Sequence, residues 1–321
     1  MVDYQFDLIT IAETTENKAD VLPALLARPF QLFYPSAEDE VAAYIADDGL
    51  RDAVNVALST GRPLLLTGEP GTGKTSAATW IAGRLGLDLI RFQVKSNSRA
   101  QELLYEFNSI DYFRASQIAA TAREPAPDKG AFVIEGPLWK ALTAEERPAV
   151  LLIDEVDKAP RDFPNDLLFE LDRMEIVCAE RKNYRVTSKA HGLRPIVIIT
   201  SNSERRLPEP FLRRCIYHNI ALDAATLSAI LDRRLKLTSA YFTVDPLFRN
   251  AAEKTFFSLR ENPLLQKKPS IGEFWAWFVL VAAIPANQQA VIRVADNRAP
   301  ARSLPHLSAL LKLSDDIGRL S

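Results

Sequence analysis

Gly68-Glu69-Pro70-Gly71-Thr72-Gly73-Lys74-Thr75 is the stretch that decides how this chain is read. It fills every fixed position of the pattern G-x-x-x-x-G-K-[ST]. The glycines let backbone N–H groups turn inward around phosphates, Lys74 reaches the β and γ oxygens, and the Thr75 hydroxyl ligates Mg²⁺. The string follows the apolar run Leu64-Leu65-Leu66 and opens a helical pattern near Thr75, a setting that lays phosphates on a helix N-terminus. Only twelve glycines occur in the chain and three of them fall in Gly68 to Gly73, which favours a phosphate cradle over an ordinary glycine-rich turn. Residues 68–76, with Ser76 as the last, are expected to bind a nucleotide.

Working outward, three further β-rich apolar runs accompany Pro63–Thr67: Leu89–Val94, Ala149–Ile153 and Pro195–Thr200, with Cys215–Ile220 as a fifth candidate. Runs apolar on both faces and separated by helical patterns predict parallel strands covered on both sides. The expectation is an α/β fold, a doubly wound parallel sheet, over residues 39–222. Helical spacing begins at Asp39 and restarts at Gly49-Leu50 until Gly61 stops it. After Asp223 the strands end. Ala224–Leu235, Pro246–Arg260, Ile271–Ile284 and Leu304–Leu313 carry helical spacing, which predicts a small all-helical lid domain over 223–321. Ser270 and Glu273 have the spacing of a capping box. Residues 1–38 read as an arm and connector, with a short strand suggested by Val2, Tyr4, Phe6 and Leu8.

Composition bounds the function. With 321 residues, 47% of them apolar, the chain fills a sizeable core, so disorder is excluded as the main state. A net charge of -2 provides no global basic field for nucleic acid or anionic lipid. Two cysteines, Cys178 and Cys215, are too few for a disulfide scaffold and fit a reducing compartment. The acids near Met1 do not resemble a secretory leader, and the near-apolar run Phe274–Ala286 is shorter than the ~20 residues a membrane span needs. A cytoplasmic location, no membrane partner, and a buried helix over that run are expected. His191, His218 and His306 lack metal-ligand spacing, and no nucleophile–base arrangement is apparent.

Three more polar signals follow buried runs. Leu151-Leu152-Ile153 ends abruptly in Asp154-Glu155, and a carboxylate at a strand's C-terminal end beside a phosphate loop can hold Mg²⁺; this is the task assigned to Asp154. Glu155 is then the candidate base that polarises a water. Asn202, after Ile198–Ser201, is able to orient that water, although such an asparagine alone reads as a turn residue. Arg213 and Arg214 read either as a solvated face or as a source of charge for a transition state in a neighbouring subunit.

With these elements in this order, the chain resembles an AAA+ ATPase, from about Glu38 onward, and within that superfamily the MoxR-like group. Gly68–Thr75, Leu151-Leu152-Ile153-Asp154-Glu155-Val156-Asp157-Lys158-Ala159 and Phe211-Leu212-Arg213-Arg214-Cys215 carry the likeness. The resemblance implies ATP with Mg²⁺ as cofactors, Asn202 as sensor 1, Arg214 as arginine finger with Arg213 as understudy, and Lys268 where the family usually has a sensor-2 arginine. Lysine there keeps the charge but loses bidentate geometry. It also implies a homo-oligomeric ring, hexameric when active, that remodels a protein client, often one with a von Willebrand factor A domain. A nucleic-acid-linked motor or restriction-type NTPase, and an ATP-dependent assembly switch, are the alternatives. Inserts are expected near 95–147 and 174–194. Lys129–Lys140 is similar to the helix-2 insert of the group. Its Trp139 reads as core or client contact. The basic residues Arg181, Lys182, Arg185 and Lys189 around Tyr184 read as a solvated hairpin or as a contact for nucleic acid or an acidic protein segment.

Overall fold

The computed structural model describes residues 36–238 and 243–320. It divides into two compact units, Ala46–Ala221 and a second formed by Leu222–Ser321 with the segment that ends at Ile45. The arm's suggested strand at Val2–Leu8 lies outside the described residues.

In the first unit the apolar runs are strands. In chain order they are β1 (Leu64–Thr67), β2 (Leu89–Gln93), β3 (Tyr105–Phe107), β4 (Val133–Glu135), β5 (Val150–Asp154), β6 (Glu175–Cys178), β7 (Tyr184–Thr187), β8 (Ile196–Ser201) and β9 (Ile216–Asn219). Five form one parallel sheet in the order β2-β5-β8-β1-β9. β1 and β5 are buried along their whole length, as runs without polar alternation require when helices cover both faces. The order makes β8 the neighbour of both β1 and β5. The C-terminal ends of three strands that are far apart in sequence therefore meet.

The two inserts are built as small hairpins. β3 and β4 pair antiparallel around the exposed helix Ser109–Ala122, and β6 pairs with β7. Trp139, on the helix Pro137–Leu142, is core: it is 1% exposed, edge-on to Tyr105 at 5.9 Å and beneath the Arg181 guanidinium at 4.9 Å. Of the four basic residues around the second hairpin, Arg181 pairs with Glu135, Arg185 with Glu175 and Lys189 with Glu145.

The second unit is helical. Phe248, Phe256, Phe274, Trp277 and Phe278 fill its core, with Phe256 and Phe274 centroids 4.6 Å apart. Ser270 and Glu273 close the expected capping box: the Glu273 N–H donates to Ser270 Oγ at 3.3 Å and the Ser270 N–H to Glu273 Oε2 at 2.8 Å. Three expectations are corrected here. The apolar run Phe274–Ala286 is not one helix, and the helix expected over Ile271–Ile284 stops at Ala282; Ile284 is extended and Pro285 opens a separate helix, Pro285–Ala295. Proline lacks the N–H to continue a helix and pushes its predecessor out of the α region. Over Leu304–Leu313 only Leu307–Leu310 is α-helical, again after a proline, Pro305. The helix Ala37–Ala43 belongs to this unit rather than to the α/β unit that spacing begins at Asp39; Arg233 ties it there by donating to the Ala42 and Tyr44 carbonyls. Among the described residues no helix is long and apolar enough to cross a membrane.

Candidate functional site

The loop after β1 has the backbone its glycines permit. Gly68, Gly71 and Gly73 have φ of 148°, 77° and 94°, a region side-chain-bearing residues rarely enter. At Gly68 a Cβ would also come within 2.5 Å of the Ile220 carbonyl. The helix Lys74–Leu85 then begins with Gly73 as N-cap and no side-chain cap, which leaves its first N–H groups directed at the loop. The Thr72 hydroxyl donates to the Glu69 carbonyl at 2.9 Å and braces the turn, whose Glu69 and Pro70 face solvent. Lys74 is 6% exposed, and its ammonium donates to the Gly68 and Glu69 carbonyls at 2.9 and 2.8 Å. Burial lowers its pKa, opposed by the charges of Asp157, Asp154, Glu155 and Glu69. Ser76 is half-buried in the first turn of the same helix.

Facing the loop across β8 is the acidic end of β5. The Thr75 hydroxyl lies 3.0 and 3.2 Å from the two Asp154 oxygens, and Asp154 is 7% exposed. This all-oxygen pair suits a small hard cation. Mg²⁺ bound with a nucleotide would be held by Thr75 and Asp154 and would offset charge on the γ-phosphoryl group.

Glu155 follows in the left-handed conformation, φ 59°, strain that the surroundings must support. Thr200, at the end of β8, supplies that support: its hydroxyl donates to Asp154 Oδ1 at 2.6 Å and accepts from the Glu155 N–H at 2.8 Å. The turn aims the Glu155 carboxylate at three donors. Asn202 Nδ2 reaches Oε1 at 3.1 Å, while Gln93 Nε2 and Lys158 Nζ reach Oε2 at 2.8 and 2.5 Å. Asp157, 3% exposed, accepts from the N–H groups of Asn202 and Glu204 and fastens the loop after β8 to the turn after β5. The arrangement has what hydrolysis of a nucleotide phosphate asks for: inward N–H groups, a buried cation, a hard-cation site and a held carboxylate able to take a proton from water.

Of the site residues expected from sequence, Gly68 to Ser76, Asp154, Glu155 and Asn202 are brought together. Arg214 is elsewhere on the same unit, its guanidinium donating to Asp172 at 2.5 Å and to the Pro210 carbonyl at 2.9 Å. Arg213, beside it, pairs with Glu209 on a largely exposed surface. Lys268 is exposed and belongs to the helical unit. Sequence reasoning assigned no role to Gln93, Asp157, Lys158 or Thr200. The available signal was that Gln93 and Thr200, like Asp154, lie at the C-terminal ends of parallel strands, where such sheets bind ligands.

Residues 64–222 match the family described as "ATPase family associated with various cellular activities (AAA)". The chain is 31% identical over 183 residues to the mitochondrial Lon protease homolog of Phaeodactylum tricornutum, covering 55% of this chain and 18% of that protein. It is 26% identical over 237 residues to the Lon protease of Borrelia duttonii, covering 71% of this chain and 25% of that one. The alignments thus span no more than a quarter of these relatives' length. Among solved structures, a RuvB variant of Thermotoga maritima aligns at 17% identity and a TM-score of 0.45, covering 78% of this chain and 67% of that chain. The segment 64–222, with its phosphate loop and acidic strand end, is an AAA-family ATPase domain.

Proposed function

We propose that this chain hydrolyses ATP with Mg²⁺ as a ring-forming protein of the MoxR-like group and remodels or activates a protein client. The observation that carries hydrolysis is the placement of the Glu155 carboxylate, held by Asn202 and Gln93, next to the Thr75–Asp154 pair and the buried Lys74. In this reading Glu155 is the base and Asn202 orients its water. Arg214, with Arg213 as understudy, serves the site of an adjacent subunit in a hexamer, and Lys268 senses the nucleotide from the helical unit. The MoxR-like assignment rests on the three motifs quoted above, and a client bearing a von Willebrand factor A domain follows from it. A protein client is favoured over nucleic acid by the net charge of -2 and by the acidic partners of Arg181, Arg185 and Lys189.

The test compares the parent chain with Glu155→Gln, with phosphate release and particle mass measured at increasing ATP. The expected outcome is Mg²⁺-dependent turnover by the parent, retained ATP binding with turnover lost in the variant, and larger, longer-lived assemblies of the variant in ATP. Hydrolysis by Glu155→Gln at the parent rate would overturn the role of Glu155. Stimulation by DNA but by no protein client would move the reading to the motor, and ATP-driven assembly without stimulated turnover would move it to the switch.

A further inference from the structure

Arg213 and Arg214 are adjacent, yet their side chains are held differently. Arg213 pairs with Glu209, four positions back, and its side chain is 76% exposed. Arg214 is 39% exposed and bridges two elements. Its Nε donates to Asp172 Oδ2 at 2.5 Å, on the helix Leu168–Arg173, and its Nη1 donates to the Pro210 carbonyl at 2.9 Å, on the helix Glu209–Leu212. Both ends of the bridge are themselves anchored. Phe211 is buried and accepts the Arg214 N–H on its carbonyl. On the other side, Leu171 is buried next to Asp172 in the same core. Arg194 then donates to the Asp172 carbonyl at 3.3 Å and to the Gly61 carbonyl at 3.1 Å, which ties that helix to the turn before β1.

A guanidinium carries five N–H donors in one plane, and a carboxylate that takes two of them closes one edge of the fork. Asp172 takes Nε alone. Nη2 and one N–H of Nη1 have no partner among the described residues, and such donors can grip two oxygens of a phosphoryl group. A long side chain loses rotamer freedom when it docks, and fixing Nε beforehand removes part of that cost.

We propose that Asp172 is a positioning residue that holds Arg214 by Nε, so that the free Nη donors of the guanidinium serve the phosphoryl group bound in an adjacent copy of this chain. The proposal rests on the reading of Arg214 as the finger. It selects Arg214 over Arg213, because of the two it is Arg214 that is fixed from separate elements.

The experiment is steady-state ATP hydrolysis by Asp172→Ala, Arg214→Ala and the two combined, together with labelling of arginines by phenylglyoxal in the full chain without nucleotide, read by mass spectrometry. Asp172→Ala should lower kcat about two- to fivefold, the range for losing one half-exposed ion pair, with KM for ATP unchanged. Added to Arg214→Ala it should change the residual turnover no further. Arg214 should be labelled about two- to fivefold faster in Asp172→Ala, while Arg213, paired with Glu209, keeps its rate. A kcat for Asp172→Ala at or above the parent's, while Arg214→Ala is nearly inactive, would overturn the positioning and leave Arg214 as the finger. So would unchanged labelling of Arg214, or an equal loss of turnover when Asp172→Ala is added to Arg214→Ala. Turnover by Arg214→Ala at the parent rate would overturn the finger and the proposal together. Should Asp172→Ala not fold, Asp172→Leu, which keeps bulk without an acceptor, takes its place under the same criteria.

Discussion

Thr200→Val is the most informative single perturbation of the site, because it is nearly isosteric and removes only a hydroxyl. That hydroxyl donates to Asp154 Oδ1 at 2.6 Å and accepts from the Glu155 N–H at 2.8 Å, and Thr200 is 1% exposed. Losing a hydrogen bond to a carboxylate costs about 1.5–3 kcal/mol, and stranding a partly buried N–H adds about 1 kcal/mol. With about 3 kcal/mol as a working value, and about 2–4 °C of melting temperature per kcal/mol for a unit of this size, the transition of the α/β unit should fall by about 6–12 °C. Turnover should fall as well. The strained Glu155 backbone loses its anchor, and each 1.4 kcal/mol of lost alignment in the transition state is about tenfold in rate. Thr200→Ser keeps the hydroxyl and should stay close to the parent in both respects. The assays are calorimetric melting and phosphate release with saturating ATP. A Val variant that melts within about 2 °C of the parent and turns over at its rate would refute Thr200 as the link between Asp154 and Glu155.

Lys74→Ala should abolish or severely weaken ATP binding by titration calorimetry, since the γ-phosphate would lose the one protein cation buried in the loop; unchanged affinity would remove the phosphate-loop assignment. Mixing Arg214→Ala chains with Glu155→Gln chains, each nearly inactive alone, should restore part of the turnover, because some interfaces would join an intact base to an intact finger; mixed rings no more active than their parts would count against Arg214, and Arg213→Ala would be tried next. Burial, with the Asp172 charge as a lesser cause, pushes the Cys215 thiol up to about 12. It should therefore resist disulfide reagents at pH 8 until the chain unfolds. Because the unfolded thiol ionises at about 8.5, this group should favour unfolding as pH rises from there toward 12, an effect absent in Cys215→Ala melting curves.

What could be read locally, and what could not, follows from how each feature is encoded. Strand identity is a property of short runs: Leu64–Thr67, Val150–Asp154 and Ile196–Ser201 are apolar enough on both faces that a covered parallel strand is the economical solution. The phosphate loop is equally local, since its φ angles need glycine at named positions. The helical unit was legible down to the capping box, but Pro285 and Pro305 cut two apolar patterns that periodicity alone extends across them. The second half of the site depends on strand order. Thr200 reaches Asp154 because β8 lies beside β5, and Gln93 reaches Glu155 because β2 pairs with β5 on its other side in register Gln93↔Asp154. No local pattern around Gln93 or Thr200 distinguishes them from other polar residues that end a strand. The same holds for Arg214, whose partner Asp172 lies forty-two positions away and whose proposed role needs a neighbouring chain. Binding a phosphate is thus written in consecutive residues, whereas positioning a base is written in which strands are neighbours. Substitutions at Gln93 and Thr200 should accordingly spare nucleotide affinity and act on turnover, the opposite of substitutions in the loop.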